Sequence, residues 1–390
     1  MPLDTPRRAA VRPLIEEMPR QMIGEVSRLG LGQPDTIPLW YGESDVPTPR
    51  FICDAAHAAM LAGRTFYTHK RGLPELRTGL ADYMSWLYDT PINMERVTVT
   101  MSGMAAILLA MQAILDKGDN TVNVTPVWPN CTLCARVQGA EPRRVPLESR
   151  NGVWRLDLDR LFAACDDRTR IIFINSPGNP TGWMMERDEQ QAVLNFARQR
   201  GIWIVADEVY ARLVYDRPVA PSFLEIADPD DSLLVVNSFS KSWAMTGWRM
   251  GWLTHPERIG ENISSLIEYS TAAVPEFTQM AGLAAVGQGE SFVAEMLERC
   301  RRGRDVVVPR LKDMPRVTFD PPRAAFYAFF KVAGVDDSLD FAKRLFRESK
   351  VGVAPGAAFG PEGEGWLRLC FASDPKRLET AMDRLERFLA

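Results

Sequence analysis

Short apolar runs rich in β-branched residues, each closing on a polar residue, alternate with longer helical patterns through the first two-thirds of the chain. Val97-Thr-Val-Thr100 leads into Ala105–Leu115, and Thr121-Val-Asn-Val-Thr125 follows. Next come Arg170-Ile-Ile-Phe-Ile-Asn175, a helical pattern over Arg187–Arg200 closed by Gly201, the strand pattern Ile202-Trp-Ile-Val-Ala206, and Ser232-Leu-Leu-Val-Val-Asn237. Strands this apolar are buried on both faces, and helical connections make them parallel, so the expected fold class is α/β: a mostly parallel sheet sandwiched by helices. The 390 residues exceed what one hydrophobic core usually fills. After a long helical stretch from Ile259 to Leu311, a second alternation begins at Arg316-Val-Thr-Phe319 and continues through Ala325–Val332, Val351-Gly-Val-Ala354 and Trp366–Phe371. Asp374 to Leu389 reads as a closing amphipathic helix, with an N-cap and proline at its first position. This second unit predicts a smaller α+β domain; the expected division is 50–285 as the large domain and 1–49 plus 286–390 as the small one, the share of 1–49 being an assignment that the pattern itself does not supply.

Ligands of parallel α/β sheets bind at the carboxyl ends of the strands, and the polar residues fall there. Asn175-Ser176, Asp207-Glu208 and Asn237-Ser238 each follow a run of apolar residues. Just beyond the last of them lies Ser238-Phe-Ser-Lys241-Ser-Trp-Ala-Met-Thr-Gly247-Trp-Arg249-Met-Gly251. A lysine amine that condenses with an aldehyde, hydroxyls and an arginine suited to a phosphate, and a carboxylate at a buried strand end are the parts that hold pyridoxal 5'-phosphate.

Other classes are disfavoured. The formal net charge is -4, from 46 Lys plus Arg against 50 Asp plus Glu, which lacks the basic excess of a nucleic-acid or anionic-membrane binder. The N-terminal segment lacks the apolar core of a signal peptide, and Ala105–Leu115 is too short to span a bilayer, so a cytoplasmic location is expected. Six cysteines, at 53, 131, 134, 165, 300 and 370, show no disulfide-framework spacing. Cys131-Thr-Leu-Cys134 matches C-x-x-C, yet no second pair and only three histidines accompany it, so no metal site is expected.

Several separated motifs then occur in one order: Gly42-Glu-Ser-Asp-Val-Pro-Thr-Pro49, Tyr67-Thr followed by Gly72-Leu-Pro-Glu-Leu-Arg77, Ser176-Pro-Gly-Asn179-Pro-Thr-Gly182, Asp207-Glu-Val-Tyr210, the Lys241 segment and Trp366-Leu-Arg368. From about Ile37 to Phe388 the chain resembles the class I/II aminotransferases, fold type I pyridoxal-phosphate enzymes of the aspartate aminotransferase superfamily. The resemblance implies a homodimer with shared sites that moves the amino group of an L-amino acid to a 2-oxo acid by a ping-pong mechanism.

Residue by residue, it implies that Lys241 forms the Schiff base with the cofactor and then acts as acid and base. Asp207 keeps the cofactor's ring nitrogen protonated, because a carboxylate beside a cation stabilises both charges. Tyr210 and Asn179 bond the phenolic oxygen, and Trp128 stacks on the ring. Ser102, Gly103 and Met104, at the start of the helix expected near Ala105, cradle the phosphate with Ser238, Ser240 and Arg249. Tyr67 reaches in from the neighbouring subunit. Arg368 grips the α-carboxylate with its planar fork, near Gly42, while Trp40 and Tyr41 wall the side-chain pocket. Taken singly, Trp128 also fits a core tryptophan and Arg368 a solvent-facing strand residue.

Two positions depart from the family. Met104 stands where aspartate-preferring members often carry a lysine, which weakens the case for aspartate. Ala324 replaces a commoner glycine and is expected to narrow the site. Arg64, His69, Lys70 and Arg71, around Tyr67, read as a solvated basic loop, with a substitute positive charge offered to the partner subunit's site as the alternative. The same scaffold also serves carbon-sulfur lyases and aminocyclopropane-carboxylate synthases, so a lyase is the alternative enzyme. A ligand-sensing regulator needs a winged-helix domain ahead of the fold, for which about forty residues are too few.

Overall fold

The computed structural model describes residues 10–150 and 152–390. Seven strands, β1 (Val97–Thr100), β2 (Asn120–Thr125), β3 (Glu141–Pro146), β4 (Thr169–Asn175), β5 (Trp203–Asp207), β6 (Leu233–Ser238) and β7 (Gly251–Thr254), form one sheet in the order β1-β7-β6-β5-β4-β2-β3. β7 is antiparallel to both neighbours, and all other pairs are parallel. β1, β2 and β6 are buried along their whole length, as their unbroken runs require. In register, Asn175 lies opposite Asp207 and Gly251 opposite Ser238, so the polar strand ends share one edge of the sheet.

Two strands escaped the sequence pattern. β3 is an edge strand carrying Pro142 and Pro146, polar along most of its length, because an edge tolerates residues that a central strand cannot. β7 is apolar but short, and its antiparallel direction is set by the turn after Lys241 rather than by any local preference.

Local chemistry fixes the helices. α1 (Pro74–Tyr88) begins with proline, and Ser102 caps α2 (Gly103–Ile114), accepting from the Ala105 amide at 3.2 Å, so that helix begins two residues before the expected start. α3 (Pro129–Gln138) begins with proline, and α4 (Arg187–Arg200) has a reciprocal Glu186–Glu189 capping box and ends at Gly201, φ +64. The expected long helical stretch is three helices, Gly260–Ser270, Glu276–Gln288 and α5 (Glu290–Asp313). Pro275 and Gly289 make the breaks.

The second sheet, β8 (Val317–Phe319), β9 (Tyr327–Val332), β10 (Ala354–Pro355) and β11 (Trp366–Cys370), is wholly antiparallel in the order β8-β9-β11-β10. The run expected as one strand over 351–354 divides: Val351–Gly352 pairs in parallel with Ile37–Pro38, and only Ala354–Pro355 joins the second sheet. α5 buries Met296, Cys300, Val307 and Leu311 at helical spacing against this unit. α6 (Pro375–Leu389) closes it, with the Asp374 side chain accepting from the Lys376 and Arg377 amides. The pairing at Ile37 matters for the site. Leu39 donates to the Gly352 carbonyl and accepts from the Cys370 amide at 2.9 Å, which holds Trp40-Tyr41-Gly42 against the end of β11.

Candidate active site

A cavity of about 430 Å³ opens between the carboxyl edge of the large sheet and the second sheet. Lys241, Asp207, Tyr210, Asn179, Trp128, Gly103, Met104, Ser238, Ser240, Arg249, Gly42 and Arg368 all line it, drawn from seven separated stretches of chain. Ser102 does not line it, since its hydroxyl is committed to the helix cap. Tyr67 lies outside the cavity of its own chain and is almost fully exposed. Ala324 is also outside, packed against Met184, Ala211 and Val214, so it does not narrow the site.

Lys241 sits in a short helix, Phe239–Ser242, capped by Ser238, and its Nζ donates to the Gly42 carbonyl at 2.7 Å. Burial lowers its pKa to about 8, because few neighbours solvate the ammonium. Asp207, at the end of β5, is buried, and burial raises its carboxyl to about 7. A 3.4 Å contact from the Val209 amide is the single hydrogen bond to that carboxylate among the described residues. The adjacent Glu208 points away. Its carboxyl accepts from Ser222 Oγ at 2.7 Å and the Phe223 amide at 3.1 Å, and burial raises it to about 8.

One end of the cavity is a cup of donors. A Cβ on Gly251 would come within 2.6 Å of both the Asn237 carbonyl oxygen and the Gly103 nitrogen, so only glycine lets β7 approach the first turn of α2 this closely. Ser238 and Ser240 share a 2.9 Å hydroxyl–hydroxyl bond beside that turn, and Arg249, held at φ +52 by a 2.7 Å bond to the Thr246 carbonyl, completes the rim.

At the other end, Arg368 of β11 is buried. Its guanidinium donates to Asn179 Oδ1 at 3.1 Å and to the Trp40 carbonyl, and stands 4.5 Å from the Tyr327 ring centre. Its buried Nε has no partner among the described residues. Tyr327, which reads in the sequence as one more apolar strand residue, bonds the Tyr210 hydroxyl at 2.7 Å and also lines the cavity. Burial pushes both phenols up. Glu43 and Thr246, inside the Gly42 and Lys241 motifs, are further wall residues, as are Ile23 and Ile107, which no motif singles out.

The basic loop around Tyr67 needs correction. Arg71 is buried rather than solvated: it bonds Glu95 Oε2 at 3.1 Å and Thr98 Oγ1 at 3.2 Å, because the segment folds back along β1. Among the described residues, no cluster of three or more His, Cys, Asp or Glu side chains could hold a metal, and no helix is long and apolar enough to cross a membrane.

This arrangement has known counterparts. The family model for aminotransferase class I and II matches residues 34–385. The chain is 34% identical over 373 residues to an aspartate aminotransferase of Pyrococcus horikoshii, covering 95% of each, and 31% identical to aromatic-amino-acid aminotransferase 2 of Thermococcus litoralis, covering 93% of each. It superposes with TM-score 0.91 on the solved aspartate aminotransferase of Thermotoga maritima, at 33% identity, over 97% of this chain and 100% of that one. The chain belongs to the class I and II aminotransferases.

Proposed function

We propose that the cavity holds pyridoxal 5'-phosphate and that the enzyme carries an amino group from an L-amino acid to a 2-oxo acid in two successive half-reactions. The single observation that carries this reading is the opening of the Lys241 amine and the Asp207 carboxyl into one cavity beside the donor cup. The donor set fits the cofactor. Asp207 is a buried carboxyl short of partners, which a protonated ring nitrogen supplies. The Gly103 turn, Ser238, Ser240 and Arg249 suit a phosphate.

When bound, the cofactor supplies an aldehyde that captures an amine and an electron-withdrawing ring that stabilises negative charge at the carbon bearing that amine. Lys241, with its pKa lowered to about 8, keeps a neutral fraction near neutral pH and moves the proton at the substrate's α-carbon. Asp207 holds the ring nitrogen's proton. Arg368, which lines the cavity, takes the substrate carboxylate with its planar fork. Tyr210 and Asn179 orient the cofactor's phenolic oxygen, and Trp128 covers its ring.

The relatives' names support transfer over elimination. We also propose that the enzyme is a cytoplasmic homodimer, with Tyr67 completing the neighbour's site, and that 50–285 forms the large domain and 1–49 plus 286–390 the small one.

The test is Lys241→Ala in the cofactor-loaded enzyme. It is expected to lose both the visible absorbance of the lysine-bound cofactor and at least ~100-fold in kcat. A variant that keeps its activity rejects the assignment of the base.

A further inference from the structure

Resting on that reading of the site, we propose that its side-chain pocket is built for a large neutral substrate, an aromatic amino acid above all, and that Tyr41, held in place by Ser27, is its specificity-determining wall.

Charge comes first. The cations that line the cavity, among the described residues, are Lys241, Arg249 and Arg368. Lys241 bonds the Gly42 carbonyl, Arg249 belongs to the donor cup, and Arg368 serves the α-carboxylate. None of this chain's own lining cations remains for a second carboxylate on the substrate, and an unpaired carboxylate in such a site is strongly disfavoured. The wall also carries Ile23, Trp40, Tyr41, Met104, Ile107 and Trp128, and its further polar members include Asn175, Thr246 and the acidic Glu43, none of which supplies positive charge.

The aromatic part of that wall is fixed in advance. A Cβ on Gly30 would stand 2.3 Å from Trp40 Cη2, and one on Gly352 would stand 1.9 Å from Trp40 Cε3, so two glycines clamp the Trp40 ring. Tyr41 meets Trp40 edge-on, with ring centres 6.3 Å apart. Ser27, on the helix Met22–Gly30, donates to the Gly24 carbonyl at 3.2 Å, which leaves its oxygen to accept from the Tyr41 hydroxyl at 2.7 Å. Tyr41 is held at its far end yet remains half-exposed toward the cavity, and it immediately precedes Gly42. A rigid aromatic face costs little ordering when a second ring packs on it.

Calorimetric binding of 3-phenylpropionate and of succinate to the cofactor-loaded enzyme tests this, alongside half-reactions with phenylalanine, alanine and aspartate. Phenylpropionate is expected to bind at least tenfold tighter than succinate. Tyr41→Ala should lower kcat/KM for phenylalanine relative to alanine by roughly tenfold to a hundredfold. Ser27→Ala should raise KM for phenylalanine roughly threefold to tenfold with kcat held, the signature of lost positioning rather than lost chemistry.

Tighter succinate binding, or aspartate as the best donor, overturns the proposal. If Arg64→Ala then removes that preference, the missing cation comes from a second copy of the chain, and the proposal is equally overturned. A loaded enzyme that transaminates none of the three donors refutes the proposed function itself, whereas one that transaminates but prefers aspartate refutes only this inference.

Discussion

At the scale of single residues, burial sets the chemistry of the site. Lys241 and Asp207 move in opposite senses, the amine down to about 8 and the carboxyl up to about 7, because removal from water disfavours whichever form is charged. Each is thereby ready to exchange a proton near neutral pH. Arg368 is different: its value lies in the planar fork packed against the Tyr327 ring. Arg368→Lys keeps the charge but loses that fork, so kcat/KM for any amino-acid donor is expected to fall at least ~30-fold, about 2 kcal/mol. Steady-state kinetics with alanine and phenylalanine measure it, and equal loss for both donors identifies the shared carboxylate as the group that Arg368 holds.

At the scale of elements, the site depends on one loop lying close to one strand. A Cβ on Gly42 would stand 2.0 Å from Tyr327 Oη, so the loop after Leu39 can rest on β9 only if residue 42 has no side chain. Gly42→Ala must push the Tyr327 hydroxyl off Tyr210 or lift the loop from Lys241. Either displacement, of the order of 1 Å, is expected to lower kcat/KM roughly a hundredfold. Removing the obstructing oxygen tests the cause. The double variant Gly42→Ala with Tyr327→Phe is expected to recover part of the activity, and a double variant no better than the single one rejects this contact as the reason for the glycine. The Gly42 motif was legible in the sequence, and so was its order along the chain. Its partner was not, because Tyr327 follows Ala325-Phe326 and periodicity assigns all three to an apolar strand without saying which ring reaches a cavity.

At the scale of the whole molecule, a single chain leaves large aromatic groups in water. Phe66, Tyr67 and Tyr269 are each at least 80% exposed. The segment that carries Phe66 and Tyr67 is anchored at its end by the buried Arg71. Exposed apolar surface on a firmly held loop suits burial by a second copy. If Tyr67 serves the neighbour's site, Tyr67→Ala and Lys241→Ala are lesions that separate chains can complement. Co-expression should yield mixed dimers in which one site carries both lesions and the other carries none, with activity above that of either variant alone. Purified mixed dimers no more active than the better parent refute a shared site.

The sequence by itself determined the alternation that makes a parallel sheet, the polar residues closing its strands, and most of the residues that meet in the cavity. Those features are local: side-chain period, caps and turn residues act within a few positions, and the Lys241 segment, Asp207 and Arg368 could each be found without knowing their neighbours. Only the tertiary structure decided what lies across from what. It turned Ser102 into a cap, buried Arg71, moved Ala324 out of the site, divided the strand at 351–354, and brought Tyr327, Ile23 and the Ser27-bonded Tyr41 to one cavity. The physical reason is that distance between elements is set by packing among residues far apart in the chain, where a glycine without a Cβ or a ring against a ring fixes positions that no local pattern encodes.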